Sequence, residues 1–595
     1  MTVKKPLLLK MSFQSIHFCT FLFSSLLVMS ISSASHCTDG GPTFPTTPLL
    51  SFLQLLQSEA LKTLGPKSFD PKPYVDLPLK KDFGLTEVAF SRLPRINGII
   101  PTKDLNEFLK AYFGDAGDDL VYTEPKDFVS EPEGFLPKVL NPKARVWALE
   151  VHSLWKNLSR RVSENVKKYP DRHTLLPLPE PVIIPGSRFK EVYYWDSYWI
   201  IRGLLTSKMY DTAKAVANNL LWLVDIYGHV LNGARTYYAN RSQPPLLSSM
   251  VREIYSRTGD LEFVRKSLPS LIKEHSFWIS GSHKVAIRDH HGHEHSLSRY
   301  YARWNKPRPE SATIDVESAS IFLNDSDKEV FYREVASAAE TGWDFSSRWL
   351  SDPLDKSTVS TTSIIPVDLN TYLYKVELDI TFFAQKLGDF EIAEKFLQAS
   401  RARQLAMRSI LWNAEMNQWL DYWLRPGDCE DVHQFEAGNQ NDRIFASNFI
   451  PVWNWRHTSG EDRTMVESIL ESFQDSGLLK PAGISTSLSI SGQQWDFPNG
   501  WSPLQHMIIE GFSNSGSKAA RILAEDIAVR WIRTNFAAYN TTGAMHEKYD
   551  VEGCGMVGAG GEYAPQTGFG WSNGVVLALL EEFGWPFDRD IGCPS

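Results

Sequence analysis

The sequence predicts an all-α fold: a toroid of helical hairpins with a binding mouth built from the loops between helices. Three observations point there. Apolar residues recur at helical spacing over long segments, as in Ala213, Val216, Ala217, Leu220, Leu221 and Val224, which gives a helix one buried stripe. Two junctions, Thr258-Gly259-Asp260 and Leu387-Gly388-Asp389, join such segments. In each, Gly can end one helix in the left-handed conformation and Asp can cap the next. No alternating runs of strand length recur at regular spacing, which argues against a propeller or a sandwich.

Taken in order, residues 1–35 read as a secretory signal peptide or an uncleaved signal anchor. Lys4, Lys5 and Lys10 precede an apolar run from Ile16 to Ile31, and small residues Ser32 to Ser35 follow; the run is only slightly shorter than the ~20 residues a spanning helix needs. Either reading places the rest of the chain outside the cell, secreted or tethered to the plasma membrane, with membrane contact only through this segment. Residues 36–50 form a linker rich in Gly, Pro and Thr, and residues 51–590 a single domain. The portion from Ser51 to Pro170 reads as irregular chain wrapping the toroid. Helical spacing returns at Phe390 to Leu411, with Ile392, Phe396, Ala399, Ala402 and Ala406 expected on one buried face.

Composition narrows the partners. The 61 basic and 70 acidic residues leave a formal net charge of −9 with no basic block, which points away from nucleic acid. Cys37, Cys429, Cys554 and Cys593 follow the targeting segment and permit bridges whose pairing is unreadable here. Glycan acceptor sequons stand at Asn157, Asn324 and Asn540. A fourth match, Asn240-Arg241-Ser242, falls inside a site motif and is expected unmodified. The run Asp289-His290-His291-Gly292-His293-Glu294-His295 lacks ordered ligand spacing and reads as a solvated loop, with no metal site. No nucleotide or cofactor fingerprint appears, and no cofactor is expected.

The densest site signal is Pro185-Gly186-Ser187-Arg188-Phe189-Lys190-Glu191-Val192-Tyr193-Tyr194-Trp195-Asp196-Ser197-Tyr198-Trp199. Pro and Gly force a bend, after which aromatic and charged residues crowd together. Flat rings suit the C–H faces of a sugar, while Arg and carboxylates suit its hydroxyls. Two further stretches share this character: Gln494-Trp495-Asp496-Phe497-Pro498-Asn499-Gly500-Trp501-Ser502-Pro503, and Gly558-Ala559-Gly560-Gly561-Glu562-Tyr563 followed by Gly568-Phe569-Gly570-Trp571-Ser572-Asn573-Gly574. Together they resemble the signatures of the trehalases, plant-like members of glycoside hydrolase family 37, and the resemblance runs from about Pro71 to Trp571. It implies an (α/α)6 barrel that hydrolyses α,α-trehalose to two glucose molecules with inversion.

Glycosidic hydrolysis by the common route needs two carboxyl groups, one protonating the leaving oxygen and one activating water. In Gly342-Trp343-Asp344-Phe345-Ser346-Ser347-Arg348 the apolar neighbours of Asp344 would raise a carboxyl's pKa, as a general acid requires. Pattern alone leaves that reading level with a structural pair between Asp344 and Arg348, four residues on; the resemblance assigns Asp344 as the acid. Glu547, in His546-Glu547-Lys548-Tyr549-Asp550, is weak by pattern and is assigned as the base by the resemblance. Inversion then requires the two carboxyls roughly 6.5–9.5 Å apart. Glu552 is a nearby decoy. Glu562 is a stronger rival, and the glycine-rich run reads as a lid in which it accepts sugar hydroxyls.

Arg188, Arg241 and Arg308 can hold vicinal hydroxyls in planar forks. The resemblance places them in substrate contact together with Trp195, Asp196, Asn232, Ser242, Gln243, Pro309, Glu310, Gly342 and Glu562. Ser187 and Ala559 stand where the family motif has Gly, so the backbone torsions there are open. Two rival functions remain: another inverting α-glucosidase on a similar toroid, and a catalytically inactive sugar sensor on the same scaffold.

Overall fold

The helices alternate between two rings. The computed structural model describes residues 46–67, 69–425, 432–456 and 463–594. The inner ring comprises Asp196–Thr206, Leu247–Thr258, Val367–Leu387, the 3₁₀ segment Ala446–Arg456, Ser502–Asn514 and Gly570–Phe583. Each packs against the next, and the last packs against the first, so the ring closes. The outer ring comprises Pro142–Leu158, Tyr210–Tyr227, Leu261–Trp278, Phe390–Ala406, Arg463–Asp475 and Lys518–Thr542. This is the six-paired barrel that the resemblance implied.

Side-chain pattern decides which ring a helix joins. Inner helices are covered on every face: Val367–Leu387 buries all residues from Val367 to Glu377, and Ser502–Asn514 buries Ser502 through Ile509. Outer helices bury one stripe, as in Tyr210–Tyr227 with Ala213, Val216, Ala217, Leu220, Leu221 and Val224. Closure needs backbones to touch. A Cβ on Gly574 would lie 1.9 Å from the Trp199 carbonyl oxygen, and one on Gly203 2.6 Å from Gly574 Cα.

The two predicted junctions are the tight turns from inner to outer helices. Gly259 and Gly388 take φ of +66° and +77°, and Asp260 and Asp389 accept hydrogen bonds from the amides of Phe263 and Ile392. Connections in the other direction are long and all emerge at one rim, the amino-terminal end of the inner helices. That rim is the mouth. Among its small sheets, Asn499–Trp501 pairs antiparallel with Lys548–Asp550, placing Trp501 opposite Lys548.

Several expectations change. Residues 51–170 are not irregular: they hold helices Pro48–Leu64, Phe83–Ser91 and Thr102–Tyr112, packed through Phe52, Phe90, Phe108 and Phe113, and the outer helix Pro142–Leu158. The first helix starts at Pro48, capped by Thr47, inside the stretch read as linker. In Phe390–Ala406 the buried face carries Ala393, Phe396, Ser400, Arg403 and Ala406, while Ala402 is exposed. Arg403 is drawn in because its Nε lies 2.9 Å from Glu377 Oε1.

The histidine-rich run is the tip of the hairpin Lys284–Arg288/Glu294–Ser298, where Asp289 accepts from the His291 and His293 amides and from His295 Nε2. No metal-holding group of His, Cys, Asp and Glu occurs among the described residues. Cys554 and Cys593 form a disulfide; Cys37 and Cys429 lie outside the described residues, as does the targeting segment. Asn157, Asn324 and Asn540 are exposed, and Asn240 is buried. Among the described residues no helix is long and apolar enough to cross a membrane.

Candidate active site

A cleft of about 800 Å3, its open mouth included, occupies the rim of the barrel. Its lining of indole and phenol rings with convergent charged and amide groups suits a small polar ligand. Of the residues singled out from the sequence, Arg188, Trp195, Asp196, Asn232, Arg241, Gln243, Arg308, Glu310, Gly342, Asp344, Glu547 and Glu562 all line it. Ser242 and Pro309 do not. The Ser242 hydroxyl donates to the Val230 carbonyl and its amide to Glu340, while the Pro309 carbonyl accepts from Gln57 Nε2. Both support the wall from behind.

The loop carrying Asp344 is held from outside the cleft. Arg348 is fully buried and its guanidinium spans Asp368 and Asp421, with Nη1 to Asp368 at 2.7 Å and Nε to Asp421 at 2.7 Å. It is therefore not the partner of Asp344, which no other side chain hydrogen-bonds among the described residues. Asp496 accepts from the Ser346 hydroxyl (2.9 Å) and from the Ser347 amide (2.7 Å) and hydroxyl (3.0 Å). Gln494 Nε2 donates to the Asp344 carbonyl at 2.6 Å. The second signature thus clamps the acid-bearing loop by its backbone and leaves the carboxyl to the cleft.

Burial pushes the Asp344 carboxyl up to about 7, against the pull of the Arg308 and Arg241 guanidiniums. Solvent is stripped away there while no counter-ion grips the group, which is how a carboxylic acid stays protonated near neutrality. Glu547 has a different setting. Burial raises it as well, but the Lys548 ammonium opposes this, the Tyr563 hydroxyl donates to Oε1 at 2.8 Å and the Gln566 amide to Oε2 at 3.2 Å. Donors that favour the ionised form suit a base. Asp196, third in the cluster, is pushed up to about 8 by burial and by the negative charge of Glu547 and Asp344.

Glu562 is not equivalent to either. Burial works against its charge, yet the Arg308 guanidinium and Lys356 ammonium hold it down at about 2. Its Oε1 lies 2.7 Å from Lys356 Nζ and its Oε2 3.2 Å from Arg308 Nη2. It is a fixed anion that bridges the lid to the opposite wall. The other arginines are also anchored: Arg188 by Asp70 at 2.7 Å, Arg308 by Asp315 at 2.7 Å, and Arg241 by Glu310. Arg241 Nε and Glu310 Oε2 remain buried without a partner, a donor and an acceptor that ligand hydroxyls can satisfy.

Trp195, Trp495, Trp501 and Trp571 form a continuous aromatic wall, with Trp495 and Trp501 stacked at 3.9 Å. Gly342, at φ +75°, is required by this wall: a Cβ there would meet the Trp195 ring at 2.9 Å. Indole packing, and not only ligand approach, explains that glycine. The two departures from the family motif have different outcomes. Ser187 adopts φ +30°, with its hydroxyl donating to the Thr567 carbonyl at 2.9 Å, whereas Ala559 needs no positive φ: its amide donates to Asn499 Oδ1 and its carbonyl accepts from Asn499 Nδ2. Sequence reasoning assigned no role to Gln494, Lys548, Tyr563, Lys356, Asp70 or Asp315. The first three stand in the quoted motifs, so the signal was adjacency to a motif; the others come from distant segments.

Comparison with known proteins fits this geometry. The trehalase family model matches residues 67–584. The chain belongs to the trehalase family. It is 60% identical over 552 residues to a probable trehalase of Oryza sativa subsp. japonica, covering 92% of this chain and 97% of that one. The trehalase of Arabidopsis thaliana is 54% identical over 553 residues, covering 92% of this chain and 88% of that one. The trehalase of Homo sapiens is 39% identical over 520 residues, 87% and 86% respectively. Among solved structures, the neutral trehalase of Saccharomyces cerevisiae aligns with a TM-score of 0.53 at 23% identity, covering 67% of this chain and 73% of that one, which bears on the helical fold alone. All three trehalase signatures lie inside the matched span, and each contributes a wall of the cleft.

Proposed function

We propose that this chain hydrolyses α,α-trehalose to two glucose molecules with inversion, Asp344 serving as general acid and Glu547 as general base. The observation that carries the reading is the contrast between two carboxyls in one cleft. Asp344 is desolvated and ungripped, with its carboxyl pushed up to about 7; Glu547 is held by a phenol, a backbone amide and a neighbouring ammonium. One glucosyl unit lies against the indole wall, its hydroxyls meeting Arg241 Nε and Glu310 Oε2. Asp344 gives its proton to the bridging oxygen as the C1–O bond breaks. Glu547 takes a proton from water as that water's oxygen attacks C1 from the opposite face. Proton exchange with solvent restores both groups.

The purified protein is expected to release glucose from trehalose and not from maltose, sucrose or cellobiose, with turnover lost in Asp344→Asn and in Glu547→Gln. Maltose turnover would reassign the substrate, and retention of activity in Asp344→Asn would reassign the acid. Extracellular placement, secreted or tethered by residues 1–35, belongs to the same proposal. The Cys554–Cys593 disulfide suits an oxidising compartment, and Asn157, Asn324 and Asn540 are exposed for N-glycans. A drop in apparent mass on enzymatic deglycosylation of the secreted protein tests it; a chain retained in the cytosol without glycans would overturn it.

A further inference from the structure

Lys548 is completely buried, follows the proposed base directly, and lies outside the cleft lining. Its ammonium donates to Gln494 Oε1 at 2.8 Å and to the Gly560 carbonyl at 3.0 Å. Two rings flank it, with the Trp501 and Tyr563 centroids at 5.2 and 6.0 Å. An ammonium can only donate, so the end of the Gln494 amide that faces it must be the oxygen. The nitrogen end then has one direction left, and it meets the Asp344 carbonyl at 2.6 Å.

From these contacts we infer that Lys548 is a positioning residue for the hydrolysis proposed above, coupling acid loop, base strand and lid through one charge. The bond to Gln494 sets the amide that holds the Asp344 backbone. The bond to Gly560 holds the glycine-rich lid, and Gly561 sits so close to Gln494 that a Cβ there would meet Oε1 at 2.7 Å. The strand that carries Lys548 begins immediately after Glu547 and pairs with Asn499–Trp501 of the second signature. The acid loop is far along the chain from the base strand and the lid, and this ammonium links it to them through the Gln494 side chain.

The charge also acts on the acids around it. Glu547 and Asp344 both stabilise the ammonium, Tyr563 faces it from the lid, and Arg188 lies beyond Glu547. Burial nonetheless lowers Lys548 to about 8. Removing the cation therefore takes a stabilising charge from both carboxylates, and both should titrate at higher pH.

The test is trehalose hydrolysis by wild type, Lys548→Met, Gln494→Met, the double variant and Lys548→Arg, with full pH profiles. Wild-type turnover of trehalose checks the underlying reading independently. Lys548→Met and Gln494→Met are each expected to lower kcat about tenfold to a hundredfold, the range of a small misplacement, and the double variant should be no worse than the worse single one. Lys548→Met should move both limbs of the profile to higher pH; Gln494→Met and Lys548→Arg should leave them in place. Multiplicative losses, or a Lys548→Met profile lowered uniformly with unmoved limbs, would overturn the inference. Should Lys548→Met not fold, Gln494→Met decides alone: wild-type kcat in that variant refutes the relay.

Discussion

Replacing Asp344 by Asn should inactivate the protein and stabilise it at once. The carboxyl is shifted from an ordinary value near 3.9 to about 7. Three pH units at about 1.36 kcal/mol each give ~4 kcal/mol as the upper bound on the cost of ionising it in the fold. The group keeps partial access to the cleft, so solvent relieves part of this and ~1–3 kcal/mol is the expected gain. The sign follows from a folded pKa above the unfolded one. The wild-type stability is fully present below about pH 4, declines as pH rises, and has lost this contribution above about pH 7. Asn carries no such dependence. For roughly 550 folded residues the unfolding entropy is about 1.2 kcal/mol per degree, so the Tm gap should be ~1–3 °C at pH 8 and near zero at pH 4. Differential scanning fluorimetry at one scan rate across pH 4–8 reads it. A variant no more stable than wild type at pH 8, or a gap independent of pH, would refute the claim that Asp344 is buried without a counter-charge.

Tyr563→Phe removes the donor to Glu547 Oε1; Glu547 should titrate higher, moving the acid limb of the pH profile upward, with kcat down about tenfold. Arg348→Met strands Asp368 and Asp421 in the core, at a cost of about 3–5 kcal/mol, visible as lower yield of folded protein and a lower denaturation midpoint. Gly342→Ala forces a Cβ to 2.9 Å from the Trp195 ring at φ +75°, and should lower both Tm and trehalose turnover, whereas Gly259→Ala, with open space around it, should affect Tm alone. Cys554→Ser should lower stability by about 2–4 kcal/mol while leaving KM for trehalose unchanged, since neither Cys554 nor its partner Cys593 lines the cleft.

Much of the barrel is legible along the chain because its causes are local. Helical spacing marks the outer stripes, and Gly259-Asp260 and Gly388-Asp389 mark the hairpin turns, since a left-handed Gly and a capping Asp act within a few residues. Where local pattern failed, a distant partner had intervened. Arg403 displaced Ala402 from the buried face because Glu377, on the facing helix, holds the guanidinium. The stretch before Pro170 looked irregular because its helices bury short faces on one another and on the barrel.

The site divides along the same line. The aromatic and charged stretch from Pro185 to Trp199, the second signature and the glycine-rich run carry sugar-binding chemistry in their residue types, which is why most of the cleft lining could be named from them. Whether Asp344 belongs to Arg348 or to a substrate was undecidable from spacing, since the answer lies with Asp368 and Asp421, 20 and 73 residues from Arg348. Protonation states, the Lys548–Gln494 relay and the unpaired atoms of Arg241 and Glu310 depend on which loops converge when the inner ring closes. Residue type and short-range spacing are written in the chain; desolvation and long-range charge pairing exist only once its distant segments share one rim.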